Sequence, residues 1–326
     1  VVQRVLLASP RGYCAGVERA VETVAHALGL EEEVYVRGEI VHNSHVVRDL
    51  RDRGALFVAD EDEAPEGATL ILSAHGVPPV VHRRSRERGQ RTIDATCPLV
   101  TRVHTQARRF AAEGYRIVLI GHAGHDEVIG TMGEAPAATF LVESVEDVEA
   151  LSFSRDDKLA YITQTTLSVE EAAEIVAALK RRFPDIRAPK REDICYATSN
   201  RQRAVKALLP EIQLMLVIGS ENSSNSNRLV DVARAGGVAA HLIEDAGAID
   251  ERWLDGVDTV GVSSGASAPE RLVKGVCDWF RRRGVERIEQ LGSVEEHVRF
   301  RLPAELRRGP DTGLHSGNEP RARRHA

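Results

Sequence analysis

Three of the four cysteines in this 326-residue chain share one setting. Cys14 lies in SPRGYCAGVERAVETVAHAL, Cys97 in RTIDATCPLVTRVHTQARRFAAEG and Cys195 in KREDICYATSNRQRAVKALLP. Each is expected to close a short extended run (RVLLASPRGYC, RTIDATC, KREDIC) and to precede a helix. Pro98 stands at the first position of its helix, where proline is welcome. A helix N-terminus carries about half a positive charge and pulls a thiol pKa from about 8.5 toward ~3.5–7.5. None of the three has a second cysteine near it in sequence, so neither a CxxC redox pair nor a local zinc knuckle is available. Their chemistry requires that they meet in space. Three converging thiolates suit a soft metal centre, either zinc or an iron–sulfur cluster. In a [4Fe-4S] cluster held by three cysteines, one iron keeps an open site and can act as a Lewis acid on a substrate oxygen. Cys277 is different: it stands inside the amphipathic pattern PERLVKGVCDWFRRRG and is expected to be a small buried apolar residue.

The elements that must bring the thiols together repeat three times. After each thiol helix comes a strand with a polar loop at its carboxyl end: VYVRGEIVHNSHVV, RIVLIGHAGHDEVIG and QLMLVIGSENSSNSNRLV. A short strand follows (ALFVADEDEAP, TFLVESVEDVEAL, HLIEDAGAIDERWL), then a fourth run ending in a second polar loop (TLILSAHGVPP, LAYITQTTLSVEE, TVGVSSGASAPE). This alternation predicts small parallel sheets flanked by helices, with ligands gathered at the carboxyl ends of the strands. The third unit lacks a closing strand, whereas the N-terminus has one to spare, RVLLAS. The expected fold is therefore α/β, with three related small domains with parallel sheets arranged around a pseudo-threefold axis and the metal centre, zinc or an iron–sulfur cluster, in the middle. The units are residues 14–97, residues 98–193, and residues 1–13 joined to 194–302. Residues 303–326 form a C-terminal segment, which from about residue 308 has the composition of disorder.

Six loops carry side chains that suit one cavity. They are His42 and Asn43 in VHN, His75 in SAHG, His125 and Glu127 in GHAGHDE, Gln164, Thr165 and Thr166 in TQTT, Ser223, Ser224 and Asn225 in ENSSNSN, and Ser267 in GASAPE. A single histidine in such a loop is commonly a satisfied polar residue, and SSNSN alone reads as a helix cap. Together, neutral and positive donors around one cavity are what a diphosphate needs where lysine and arginine are scarce. The helix expected to begin near Asn227 adds backbone N–H donors. Glu127 is the one acidic residue expected inside the site. Asp126 is expected to face away, and Glu134 lies further along the chain.

Composition narrows the classes. Aromatic residues are only 4% of a chain that is 42% hydrophobic, so the core must be built from aliphatic residues, as in buried parallel strands. A net charge of −6 argues against a general binder of nucleic acid or membrane surfaces. No apolar run approaches the ~20 residues of a membrane span, and the opening VVQRVLLASPRG reads as a first strand rather than a signal peptide. Four cysteines in such a length make no disulfide framework, and a cytoplasmic location fits best.

PRGYCAGVERA, VHN, SAHGV, DATCPLV, GHAGHDEVIGTMGE, TQTTLS, DICYATSNRQ, GSENSSNSNRL and GASAPE closely resemble the 4-hydroxy-3-methylbut-2-enyl diphosphate reductase family, from about Arg4 to the RLPAEL segment. That family catalyses the last step of the methylerythritol phosphate route to isoprenoids. The resemblance implies that Cys14, Cys97 and Cys195 hold a [4Fe-4S] cluster whose fourth iron takes the substrate hydroxyl. It implies that His42, His75, His125, Ser223, Asn225 and Ser267 bind the diphosphate, with Ser224 alongside and Thr165 in contact with substrate. Glu127 would supply protons, working with Thr165. The substrate would be a small allylic diphosphate, reduced to isopentenyl and dimethylallyl diphosphate, and ferredoxin or flavodoxin would donate the electrons. Three rival readings are a cluster-bearing dehydratase or quinolinate synthase, which would favour arginine for a carboxylate substrate, a zinc protein, which would be colourless, and a catalytically silent iron–sulfur binder, which would hold a cluster without turnover.

Overall fold

A computed structural model describes residues 2–154, 157–292 and 294–307. The segment expected to be disordered from about residue 308 lies outside the described residues. The chain opens with β1 (Arg4–Ala8) and α1 (Ala15–Ala27). β2 (Val34–Arg37), α2 (Ser44–Asp52), β3 (Ala55–Val58), β4 (Thr69–Leu72), α3 (Pro79–Glu87) and β5 (Arg91–Asp94) follow, with the sheet order β3-β2-β4-β5. Next come α4 (Pro98–Ala112), β6 (Arg116–Ile120), α5 (Asp126–Glu134), β7 (Thr139–Val142), α6 (Val145–Ala150), β8 (Leu159–Thr163) and α7 (Val169–Arg182), with the order β7-β6-β8. The last group is α8 (Tyr196–Leu208), β9 (Leu214–Ile218), α9 (Ser224–Ala235), β10 (Ala239–Ile243), β11 (Thr259–Ser264), α10 (Glu270–Arg281), β12 (Arg287–Leu291) and α11 (Ala304–Arg307). Its sheet runs β10-β9-β11-β1-β12, so the first strand of the chain sits between two of the last.

All the strand ladders of the three sheets are parallel. The sequence explains why. β4 (TLIL), β8 (LAYIT) and β9 (LMLVI) are buried at every position, as strands covered on both faces by helices must be. The helices answer with one apolar stripe each; α10 buries Leu272, Val273, Val276, Cys277, Trp279 and Phe280 at helical spacing. Cys277 is thus a core residue of the third sheet.

Three expectations fail. KREDIC forms no strand; beyond β8 the ladder continues only as an isolated bridge between Ala160 and Arg187. The segment is held instead by the Asp193 carboxylate, which accepts the Thr163 N–H at 3.1 Å. β12 was not anticipated, because RIEQL is a half-exposed edge strand that, among the described residues, pairs with β1 alone. Finally, α9 begins at Ser224 rather than near Asn227, because Ser223 is its N-cap and accepts the Ser226 N–H.

Candidate functional site

Cys14, Cys97 and Cys195 are the N-cap residues of α1, α4 and α8, one from each turn of the repeat. All three thiols line a single cavity of about 750 Å³, part of it open to solvent. Gly16, on the first turn of α1, lets the sulfurs approach: a Cβ there would stand 2.7 Å from Cys97 Sγ and 3.8 Å from Cys14 Sγ. Cys195 Sγ accepts the Thr198 N–H at 3.4 Å and lies 3.2 Å from the Thr198 hydroxyl. Helix N-termini are expected to favour thiolates, and at Cys97 and Cys195 the opposite holds. Burial, then the neighbouring Cys14 thiol, push Cys97 up to about 12 and Cys195 up to about 11. Desolvation by burial outweighs the helix ends, which supply only about half a charge each. Such a group of sulfurs ionises when a cation joins it, as metal-bound thiols do. Three convergent sulfurs with a glycine-shaped gap beside them fit an iron–sulfur cluster.

Three histidines line the same cavity. His42 and His75 stack with ring centroids 3.8 Å apart, and His125 stands edge-on to them at 5.3 and 6.0 Å. Burial and the neighbouring imidazoles hold His75 well below its ordinary pKa, and burial first of all lowers His125 to about 4. Near neutrality these two are therefore neutral rings. His125 Nδ1 accepts the Glu127 N–H at 3.1 Å, which leaves the proton on Nε2 as a donor. His42 Nδ1 lies 3.3 Å from Glu39 Oε2 and from Asn222 Nδ2. A bound anion would favour the protonated rings and gain charge-assisted hydrogen bonds from them.

Ser223, Ser224, Asn225 and Ser267 line the same cavity. Asn225 Oδ1 accepts the Ala266 N–H at 2.8 Å, which turns its NH2 group toward the Thr198 hydroxyl at 3.4 Å. Ser223 Oγ accepts from Ser226 Oγ at 2.9 Å and keeps its own proton to give. Ser224 donates to the Thr166 carbonyl and Ser267 to the His42 carbonyl, so each must rotate to serve an anion. No lysine or arginine lines the cavity among the described residues. Asn43 and Gln164 do not line it either: Asn43 caps α2, and Gln164 binds the His122 N–H and the Thr166 hydroxyl.

Glu127 lines this cavity too and is 2% exposed. Its Oε1 accepts the Thr165 N–H at 2.6 Å, and Oε2 accepts the Thr165 hydroxyl at 3.0 Å. Burial raises it to about 7 against the opposing pull of the Thr165 hydrogen bonds, with Asp193 adding to the rise. Near neutrality it holds a proton about half the time. Asp126 does not face away: Oδ2 lies 3.6 Å from His42 Nε2 and 3.9 Å from His75 Nδ1. Asp126 is the first residue of α5, where successive side chains turn by about 100° rather than alternating. The sequence reading also missed Thr198, Tyr196, Ala266 and Phe300 in the wall. Thr198 was within reach, three residues after Cys195 on one helix; nothing local marks Phe300.

Residues 5–281 match the family model described as LytB protein. A relative from Acidothermus cellulolyticus named 4-hydroxy-3-methylbut-2-enyl diphosphate reductase is 56% identical over 308 residues, covering 94% of this chain and 91% of the relative. One from Mycobacterium tuberculosis H37Rv, named 4-hydroxy-3-methylbut-2-enyl diphosphate reductase 2, is 56% identical over 307 residues, covering 94% and 92%. The solved structure of the E-1-hydroxy-2-methyl-but-2-enyl-4-diphosphate reductase of Plasmodium falciparum superposes with a TM-score of 0.90 at 38% identity, covering 94% of this chain and 98% of that one. A second solved structure, of (E)-4-hydroxy-3-methyl-but-2-enyl diphosphate reductase, described as the terminal enzyme of the non-mevalonate pathway, matches with a TM-score of 0.61 at 35% identity, covering 86% and 100%.

Proposed function

We infer the working of the site from one premise: the chain belongs to the LytB protein family and is a 4-hydroxy-3-methylbut-2-enyl diphosphate reductase, the terminal enzyme of the non-mevalonate pathway. The family is an iron–sulfur family, and Cys14, Cys97 and Cys195 are the residues that would hold a [4Fe-4S] cluster here. When bound, the cluster supplies single-electron transfers and an iron with an open site for an alcohol oxygen. The observation that carries this assignment is the meeting of three N-cap thiols, three histidines and one buried carboxyl in a single cavity.

The remaining work falls to the chain. His42, His75 and His125, with Ser223, Ser224, Asn225 and Ser267, bind the diphosphate and fix the allylic alcohol toward the thiol end, so that binding energy is used for positioning. Overall, the C–O bond of the alcohol breaks, two electrons and two protons enter, and water leaves. Glu127 gives the proton that turns a poor leaving hydroxide into water. Thr165 relays it, since its hydroxyl contacts Glu127 Oε2 and lines the cavity beside the substrate. The reduced allyl fragment takes its second proton at either end, giving isopentenyl or dimethylallyl diphosphate. Ferredoxin or flavodoxin in the cytoplasm is the electron donor we propose; no helix among the described residues is long and apolar enough to cross a membrane. Anaerobic purification with iron and sulfide analysis, followed by an assay with reduced viologen and the hydroxylated diphosphate, tests this reading. Zinc in place of iron, or iron without turnover, overturns it.

A further inference from the structure

Three arginines repeat the symmetry of the thiols, each on a helix that begins at one thiol and each reaching the loop that delivers the next. Arg19, on the α1 helix capped by Cys14, donates to the carbonyls of Thr96 at 3.0 Å and Asp94 at 3.3 Å, in the loop that delivers Cys97. Arg102, on the α4 helix capped by Cys97, donates to the carbonyl of Glu192 at 2.6 Å, in the loop that delivers Cys195. Arg201, on the α8 helix capped by Cys195, donates to the carbonyls of Gly12 at 2.7 Å and Tyr13 at 3.1 Å, in the loop that delivers Cys14. The circuit closes: helix of the first thiol to loop of the second, second to third, third to first. Arg201 is 0% exposed, and its remaining donors meet the Ala197 carbonyl and the Glu296 carboxylate.

The segment following β12 fastens two members of the circuit. Glu296 accepts from Arg201 and from Asn200, and the Arg301 carbonyl accepts Arg19 Nε at 2.8 Å. Between them, Phe300 lines the thiol cavity on one side and an outer groove with Tyr13, Glu18 and Glu22 on the other. A guanidinium suits this task because its planar fork reaches several carbonyls at once and keeps its charge when buried. Loops alone would let the three N-caps drift, since each belongs to a different turn of the repeat.

We propose that Arg19, Arg102 and Arg201 are positioning residues, a ring of clamps from each thiol helix to the next thiol loop that sets the spacing of the three cluster ligands. The proposal rests on the reading of Cys14, Cys97 and Cys195 as those ligands. Its test compares Arg102→Met and Arg19→Met with a control, Arg234→Met. Arg234 also bridges a helix to a carbonyl, that of Ala240, but touches no thiol loop. Each anaerobically reconstituted protein is challenged with an iron chelator, and kcat and KM are measured beside the unfolding midpoint. Partners outside the coordination shell commonly control metal affinity by 10–100-fold. The ring variants should therefore lose iron about tenfold faster, with lower kcat and unaltered KM, while Arg234→Met releases iron at the wild-type rate. Iron release within twofold of wild type in both ring variants overturns the ring, as does equal acceleration in the control. A wild-type chain that takes up no iron overturns the ligand assignment instead.

Discussion

Replacing Glu127 by glutamine separates proton delivery from every other duty of the site. Glutamine can still accept the Thr165 N–H through its amide oxygen and place its NH2 group on the Thr165 hydroxyl, so the loop keeps its shape. The thiols and histidines are untouched. What is lost is a proton held with a pKa of about 7 by burial, available on roughly half the molecules at neutral pH. A positioned general acid contributes about 10²–10⁴-fold, so kcat should fall by roughly a hundredfold or more, with iron content and KM retained. The wild-type rate should decline as pH rises through about 7, and the variant should lack that limb. Stability moves the other way. The folded pKa lies above the ordinary 4.5, so the stabilisation that Glu127 enjoys as a neutral acid is complete below about 4.5 and lost as pH rises through about 7. Above that, wild type buries a charge at a penalty of about 3 kcal/mol, from 1.4 kcal/mol per pKa unit. Glutamine escapes the penalty, so denaturation at pH 8.5 should show the variant more stable by up to about that amount, and the gap should close near pH 4.5. Turnover within a few-fold of wild type, or an alkaline limb surviving in the variant, refutes Glu127 as the acid.

Serine at Cys14, Cys97 or Cys195 should abolish iron binding, whereas Cys277→Ser should keep iron and lose about 1–3 kcal/mol by placing a hydroxyl in an apolar core; a colourless Cys277 variant would sink the ligand assignment. Gly16→Ala should lose iron even though alanine favours the helix by about 1 kcal/mol, because its Cβ would meet Cys97 Sγ at 2.7 Å. Full iron occupancy in that variant shows that the thiols do not need the gap. Asp126→Asn removes a carboxylate that stands beside His42 and His75 where a diphosphate would lie, so inorganic diphosphate should inhibit the variant several-fold more tightly. An unaltered inhibition constant means that Asp126 does not compete for the histidines.

Covalent geometry and local periodicity are legible in the chain alone. A cysteine before a helix, Pro98 at a first turn and runs such as LMLVI are local signals, and they mark the thiol N-caps and the buried parallel strands. The polar loops were legible for the same reason, since they follow those strands. Tertiary structure decided whatever depends on which distant segments pack together. KREDIC failed as a strand because Asp193 ties it to Thr163, and RIEQL became one because β1 offered an edge. Asp126 turned toward the histidines because a helix starts at that residue. The ionisation of Cys97 and Cys195 reversed, because a helix end is a local charge whereas desolvation is set by distant segments closing on one cavity. The arginine ring shows the division most sharply. Arg19, Arg102 and Arg201 stand five, five and six residues after their cysteines, a spacing visible in the chain. The carbonyls they clamp stand 77, 90 and 189 residues away along the chain, and only folding brings those within reach.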